Sequence, residues 1–113
     1  MLPVVLAAVL AIPFYPGVSV DTRLMKADRE TNPTNTYKIY KTEDPFEKVY
    51  TFYKDQKGAT EERDVVKENT AQSKHAAFHF KDGTVTIIWP TPVLGKQGQV
   101  LKSAGTSLYV ELE

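Results

Sequence analysis

The sequence predicts an α+β fold in which one amphipathic helix packs on an antiparallel sheet of about four to six strands. Apolar residues recur at helical spacing between Phe46 and Tyr53, which indicates a helix with one buried side. Apolar and polar residues alternate on either side of Asp82-Gly83, a dipeptide typical of a primed hairpin turn. A last alternating run, Ser107–Glu113, supplies a further strand. Because the helix and the strands are each apolar on one side, packing them together buries both surfaces.

The first half of the folded chain is expected to form two strands joined by a loop. Val18–Leu24 alternates with a period of two, which predicts a half-buried strand. Ala27–Thr36 is polar and contains Asn32-Pro33, so it predicts a turn or hairpin loop. Thr36–Thr42 is rich in tyrosine and threonine and predicts the returning strand.

We expect a helix over residues 45–57, with its start fixed by side-chain capping. Asp44 stands at the N-cap and Pro45 at the first helical position. Glu47 lies three residues after Asp44, where its carboxylate can reach back in a capping box. Gly58 follows the apolar stripe and predicts the C-terminal stop. Because capping explains this spacing, Asp44 and Glu47 are predicted to be structural rather than a catalytic carboxylate pair.

The second half of the chain predicts strands. Val65-Val66 is expected to belong to a short edge strand. His75–Lys81 and Thr84–Trp89 are expected to form the two arms of the hairpin. Pro90 ends the second arm, because its ring nitrogen cannot donate a ladder hydrogen bond.

Residues 1–13 are predicted to form an apolar leader, followed by a single domain over residues 14–113. The leader carries no charged side chain and contains Val9-Leu10-Ala11, a suitable cleavage sequence. It is shorter than the roughly 20 residues of a membrane-spanning helix. The missing basic residues leave two other interpretations open, a truncated start and a buried N-terminal element of a cytosolic domain. The favoured interpretation is a signal peptide or uncleaved export anchor of a bacterial protein.

This interpretation predicts a location in the periplasm, in the cell envelope or outside the cell. Membrane association is expected only through the N-terminal segment.

Charge and cysteine content exclude several classes of site and partner. The 113 residues contain 14 Lys and Arg, 14 Asp and Glu, and no cysteine. The absence of cysteine excludes disulfides, thiolate zinc sites and cysteine nucleophiles. The balanced charge lacks the overall attraction to phosphate that is typical of nucleic-acid binders, so no nucleic-acid partner is expected.

Two short motifs surround the first predicted strand and the helix. Tyr15-Pro16-Gly17 precedes the strand, and Thr42–Pro45 leads into a helix that carries Val49–Tyr53 as Val-x-x-Phe-Tyr. This arrangement resembles a group of small bacterial exported domains of uncharacterised function, with Tyr-Pro-Gly before the first strand and a Thr-x-Asp-Pro-capped helix. The resemblance covers residues 12–58, and Lys57–Thr60 departs from it by lacking the Gly-Trp pair of the group. It implies an exported α+β domain without assigned catalytic residues.

The histidines are the candidates for metal or acid–base chemistry. His75 and His79 are four residues apart on one face of a predicted strand. At roughly 3.3 Å per residue they lie about 13 Å apart, too far to share one zinc ion. We therefore predict no metal site, no cofactor and no catalytic residue, and favour a protein that is not an enzyme. The alternative is a small hydrolase or lyase that uses one of these histidines as a general base.

Exposed aromatic residues predict where a partner binds. Tyr37 and Tyr40 are predicted on opposite faces of the sheet, so at least one of them is exposed. An open face that carries tyrosine together with His75 and His79 suits a protein, a peptide or a component of the cell envelope. The favoured function is a small exported or membrane-tethered binding domain. A further alternative is a structural subunit that pairs an edge strand, such as Ser107–Glu113, with another copy.

Overall fold

The computed structural model describes residues 12–34, 36–63 and 67–112. Within these residues the chain is an α+β domain, as predicted, with two helices, a six-stranded antiparallel sheet and a separate two-stranded sheet. The predicted leader up to residue 11 and the predicted Val65-Val66 strand lie outside the described residues. In the described part of the chain, no helix is long and apolar enough to cross a membrane.

The elements follow one another in the order β1 (Ser19–Val20), α1 (Thr22–Thr31), β2 (Lys38–Thr42), α2 (Phe46–Lys54), β3 (Thr60–Glu61), β4 (Lys74–Phe80), β5 (Gly83–Trp89), β6 (Pro92–Leu94), β7 (Val100–Ser103) and β8 (Thr106–Leu112). The strand order in the main sheet is β1-β2-β8-β5-β4-β3, while β6 and β7 form the small sheet. β8 lies between β2 and β5, so both of its edges are paired. The strand named as an example for assembly through a strand edge, Ser107–Glu113, therefore has no free edge over its described residues.

The register defines two faces of the main sheet. Phe78 pairs with Val85, and Val85 with Val110, so these side chains share one face. We call it the helix face because α2 packs on it, with Val49 and Tyr53 fully buried. The opposite side is called the outer face, and α1 contacts β2 there. The hydrophobic core thus lies between α2 and the helix face.

The segment before β1 also packs in this core. Ile12 is 2% exposed and Tyr15 is 6% exposed. Residue 12 falls within the range predicted for the leader, so the folded domain includes it. Gly83 begins β5 beside this segment, and a Cβ there would overlap the Glu111 carbonyl oxygen and lie 2.7 Å from Ile12 Cδ1. The close approach of these three segments requires glycine at residue 83.

The predicted hairpin between β4 and β5 is confirmed, with its turn one residue earlier. Phe80 pairs with Gly83, so the loop residues are Lys81-Asp82 rather than Asp82-Gly83. In the described part of the chain, no residue other than glycine has a positive φ. The turn is therefore not a primed turn, which needs a positive φ at its first loop residue.

α1 lies where the sequence predicts the end of a strand and a loop. β1 contains only two residues of the predicted Val18–Leu24 strand. Asp21 Oδ1 accepts a hydrogen bond from the Leu24 N–H at 3.1 Å and caps a helix of ten residues. No glycine or proline follows Asp21 until Pro33, so nothing stops the helix once it is capped. At this position the helix cap determines the structure, although the short alternating pattern predicts a strand.

α2 confirms the predicted helix but not its predicted cap. Pro45 is the N-cap, and no side chain in the described residues forms a capping hydrogen bond. The Asp44 carboxylate instead accepts a hydrogen bond from the Tyr15 hydroxyl. Glu47 forms an ion pair with Lys74 of β4. The capping prediction for Asp44, Pro45 and Glu47 is therefore wrong, because both carboxylates bind partners that are distant in sequence.

Candidate functional site

Strand alternation separates the two predicted tyrosines. Tyr40 pairs with Leu108 and lies on the helix face, where its ring centroid is 5.1 Å from that of Phe14. Tyr37 lies on the outer face, and its ring centroid is 5.3 Å from that of Tyr109. The two tyrosines lie on opposite faces, as alternation predicts. Tyr40 therefore does not share a surface with the histidines.

The two histidines lie on the outer face of β4, each beside a glutamate. His75 Nε2 is 3.5 Å from Glu68 Oε2, and His79 Nε2 is 3.5 Å from Glu62 Oε1. His79 Nδ1 is also 3.2 Å from Thr84 Oγ1 of the neighbouring strand. Among the described residues, no group of three or more histidine and acidic side chains could hold a metal ion. The histidines thus form two separate pairs with carboxylates.

Between the tyrosines and the histidines, the outer face forms a shallow cavity of about 220 Å³, here called the tyrosine trough. Its floor consists of alternate residues of β5, which point to the same side of the sheet. β8 lies on one side of β5 and β4 on the other. The lining residues are Tyr37, Thr84, Thr86, Ile88, Tyr109 and Glu111.

The tyrosine side of the trough is tied to α1. The Tyr37 hydroxyl donates a hydrogen bond to Asp28 Oδ2 at 2.6 Å. Burial raises the pKa of Tyr109, and the charges of Asp28 and Asp21 raise it further. Tyr109 is therefore a neutral phenol at physiological pH and can donate a hydrogen bond to a ligand.

The margins of the trough are acidic. Glu111 lines the trough itself, while Glu62 and Glu68 lie beside the histidines on the other side of β5. All three glutamates are exposed. Their charges favour an approaching cation over an anion.

Most of the trough residues were not among those predicted from the sequence. Thr84, Thr86 and Ile88 alternate with the buried residues of β5, and Tyr109 alternates with Leu108 in β8. Alternation along each strand could therefore have shown which of its residues lie on the outer face. The pairing of β5 with β8 brings the two sets together, and that pairing is long-range, so no local pattern predicts it.

No protein-family model, curated protein or solved structure matches the chain. The resemblance to small exported domains therefore stays a prediction from its motifs.

The trough combines phenols, threonine hydroxyls, an aliphatic floor residue and exposed carboxylates. This set can hold a ligand by aromatic contact, hydrogen bonds and charge. Neither His75 nor His79 lines the trough, so the cavity supplies no substrate pocket for the general-base alternative.

Proposed function

We propose that this protein is an exported binding domain that holds an extended, basic segment of a partner polypeptide in the tyrosine trough. The observation that carries the proposal is the cavity on the outer face, with tyrosines in its wall and carboxylates at its margins. Aromatic residues are enriched at protein interfaces, because they bury a large area at a small cost in side-chain entropy.

The floor of the trough has the spacing of an extended chain. Thr84, Thr86 and Ile88 are alternate residues of one strand, so neighbouring floor side chains lie about 7 Å apart. Alternate side chains of an extended peptide repeat at the same distance, so successive ones can each meet a floor residue. The threonine and tyrosine hydroxyls supply hydrogen-bond partners for the peptide backbone.

The glutamates set the charge of the proposed partner. Lysine or arginine side chains that project from the bound segment can reach Glu111 on one side and Glu62 or Glu68 on the other. Such contacts increase the association rate and the specificity. The same carboxylates repel phosphates, which disfavours nucleic acid as the ligand.

Export is supported by the apolar residues 1–13 and by the resemblance to exported domains. In this proposal the leader directs export, and an uncleaved leader is the means of membrane attachment. Ile12 is buried in the core, so cleavage is expected directly before it, after Val9-Leu10-Ala11.

Titration of the isotope-labelled domain with two short synthetic peptides tests the trough. One peptide alternates lysine with valine, and the other alternates glutamate with valine. We expect the lysine peptide to shift the amide signals of Thr84, Thr86 and Tyr109, and the glutamate peptide to leave them in place. Thr86→Arg adds bulk and positive charge to the floor, so it should weaken lysine-peptide binding at least about tenfold. Thr51→Arg, on the exposed side of α2, is the matched control and should bind normally.

Equal shifts with both peptides would contradict the proposal, and so would equal weakening by Thr86→Arg and Thr51→Arg. A neutral glucan serves as a third probe. Shifts with the glucan and with neither peptide would identify an envelope polysaccharide as the ligand and rule out the polypeptide.

Cell fractionation and N-terminal sequencing test export separately. We expect mature protein outside the cytosol that begins at Ile12, or intact protein in the membrane fraction if the leader is retained. Intact protein in the cytosol would contradict export, and the peptide titration would still decide the binding function.

A further inference from the structure

A second and larger cavity, of about 440 Å³, lies between the start of α1, the end of β2 and the small sheet. Arg23, Lys41 and Lys102 line it from α1, β2 and β7, so we call it the cationic cleft. Val93 and Leu94 of β6 add apolar surface. The two cavities have no described lining residue in common.

Among the described residues, the three cations of the cleft have no carboxylate partner. In the described part of the chain, none of them forms an ion pair. Arg23 Nη1 donates to the Leu94 carbonyl oxygen at 3.0 Å, which holds the guanidinium in place and leaves its charge unneutralised. Lys41 and Lys102 are exposed. Three unpaired cations around one cavity create a positive potential that attracts an anion.

Two carboxylates, Asp21 and Glu43, also line the cleft and offset part of this charge. Asp21 is 5% exposed, and its Oδ1 accepts the Leu24 N–H as the cap of α1. Its charge therefore already interacts with the start of the helix. Glu43 is exposed. Three cations and two carboxylates leave the described lining with a small net positive charge.

We propose that the cationic cleft binds a small organic anion, in which a carboxylate or phosphate group is joined to a compact apolar body. The oxyanion lies among the three cations, where the Arg23 guanidinium offers paired donors. The apolar body lies against Val93 and Leu94. The volume of the cleft falls within the roughly 300–1,000 Å³ of typical small-molecule sites. This site is separate from the trough and does not depend on the polypeptide ligand.

Titration of the full chain with phenyl phosphate, benzoate and inorganic phosphate tests the proposal. The first two probes join a different oxyanion to the same ring, and the third lacks the ring. We expect at least one ring-bearing anion to shift the amide signals of Arg23, Lys41 and Lys102. The difference in affinity between phenyl phosphate and benzoate identifies the preferred oxyanion. Inorganic phosphate should bind about tenfold more weakly than that ligand, because it buries no apolar surface.

Charge variants test the position of the ligand. The double variant Lys41→Gln with Lys102→Gln should weaken binding at least about tenfold. Lys38→Gln, on the other face of β2, removes an exposed charge outside the cleft and should bind normally. The absence of shifts with both ring-bearing anions at about 10 mM would overturn the proposal. Equal affinity for inorganic phosphate, or equal weakening by Lys38→Gln, would overturn it as well.

Discussion

The two faces of the main sheet are built by the same strands and differ in how completely they are covered. On the helix face, α2 and residues 12–18 bury Phe78 and Ile87 almost completely. On the outer face, α1 covers β2, while Thr86 and Ile88 of β5 stay half-buried. β5 therefore has one side that stabilises the fold and one side that remains accessible to a ligand.

Two neighbouring isoleucines give the largest expected contrast between the faces. Ile87 is fully buried on the helix face, and Ile88 is half-buried on the outer face. Ile87→Ala should lower the free energy of unfolding by about 3–4 kcal/mol, because it leaves a cavity in the core. Ile88→Ala should lower it by about 1 kcal/mol, because this side chain is already partly in water. Urea unfolding measures both losses, and equal losses would show that the outer face is packed as tightly as the helix face.

Local patterns predicted the parts of the fold that nearby residues decide. The stripe from Phe46 to Tyr53 predicted α2, and alternation around Asp82-Gly83 predicted the hairpin, both of which are present. Alternation also placed His75 and His79 on one face. In each case the sequence pattern has the same period as the helix or strand that it forms. A short stretch of sequence is therefore enough to predict the element.

Contacts between distant residues could not be predicted in this way. The Asp44 carboxylate binds Tyr15, and Glu47 binds Lys74, so both carboxylates have partners that are distant in sequence. The trough forms because β8 pairs with β5, which places Tyr109 opposite Thr86. These two residues are far apart in the sequence. α1 was missed for a different reason, since two local signals compete there and the cap at its start prevails.

Gly83→Ala should break the close packing at one end of the helix face. A Cβ at this residue would overlap the Glu111 carbonyl oxygen and press on Ile12, so we expect a loss of about 2 kcal/mol. Gly58→Ala is the matched control, because Gly58 has a φ of +86° and open space around it. Its expected loss is about 1 kcal/mol, from backbone strain alone. Thermal unfolding ranks the two variants, and the reverse order would show that Ile12 does not pack closely on β5.

High pH should weaken the helix face through its tyrosines. Burial raises the pKa of Tyr15, Tyr50 and Tyr53 from 10.0 to about 12, and hydrogen bonds to Asp44 and Glu61 add to the shift for the first two. Because these pKa values are higher in the folded state, the stabilisation is complete below pH 10 and is lost between pH 10 and about 12. We expect the free energy of unfolding to fall over this range, and to fall less steeply in Tyr53→Phe. An unchanged slope in this variant would show that Tyr53 does not contribute to the loss.

The ion pair between Glu47 and Lys74 joins α2 to β4 at the exposed margin of the helix face and should have the smallest effect. The hydrogen bond from Lys74 lowers the pKa of Glu47 below 4.5. Because this pKa is lower in the folded state, the pair stabilises the fold above pH 4.5, and the stabilisation is lost as the pH falls through the folded-state pKa.

Glu47→Gln should therefore be slightly less stable than the unchanged protein at neutral pH and low salt. The difference should vanish in acid, and also in about 1 M salt, because salt screens exposed charges. Thr51→Ala changes an exposed, uncharged side chain of the same helix and should show neither dependence. Urea unfolding at two pH values and two salt concentrations measures these differences. A loss in Glu47→Gln that survives both conditions would mean that this side chain acts by packing, and the covered area of the helix face would then extend to its margin.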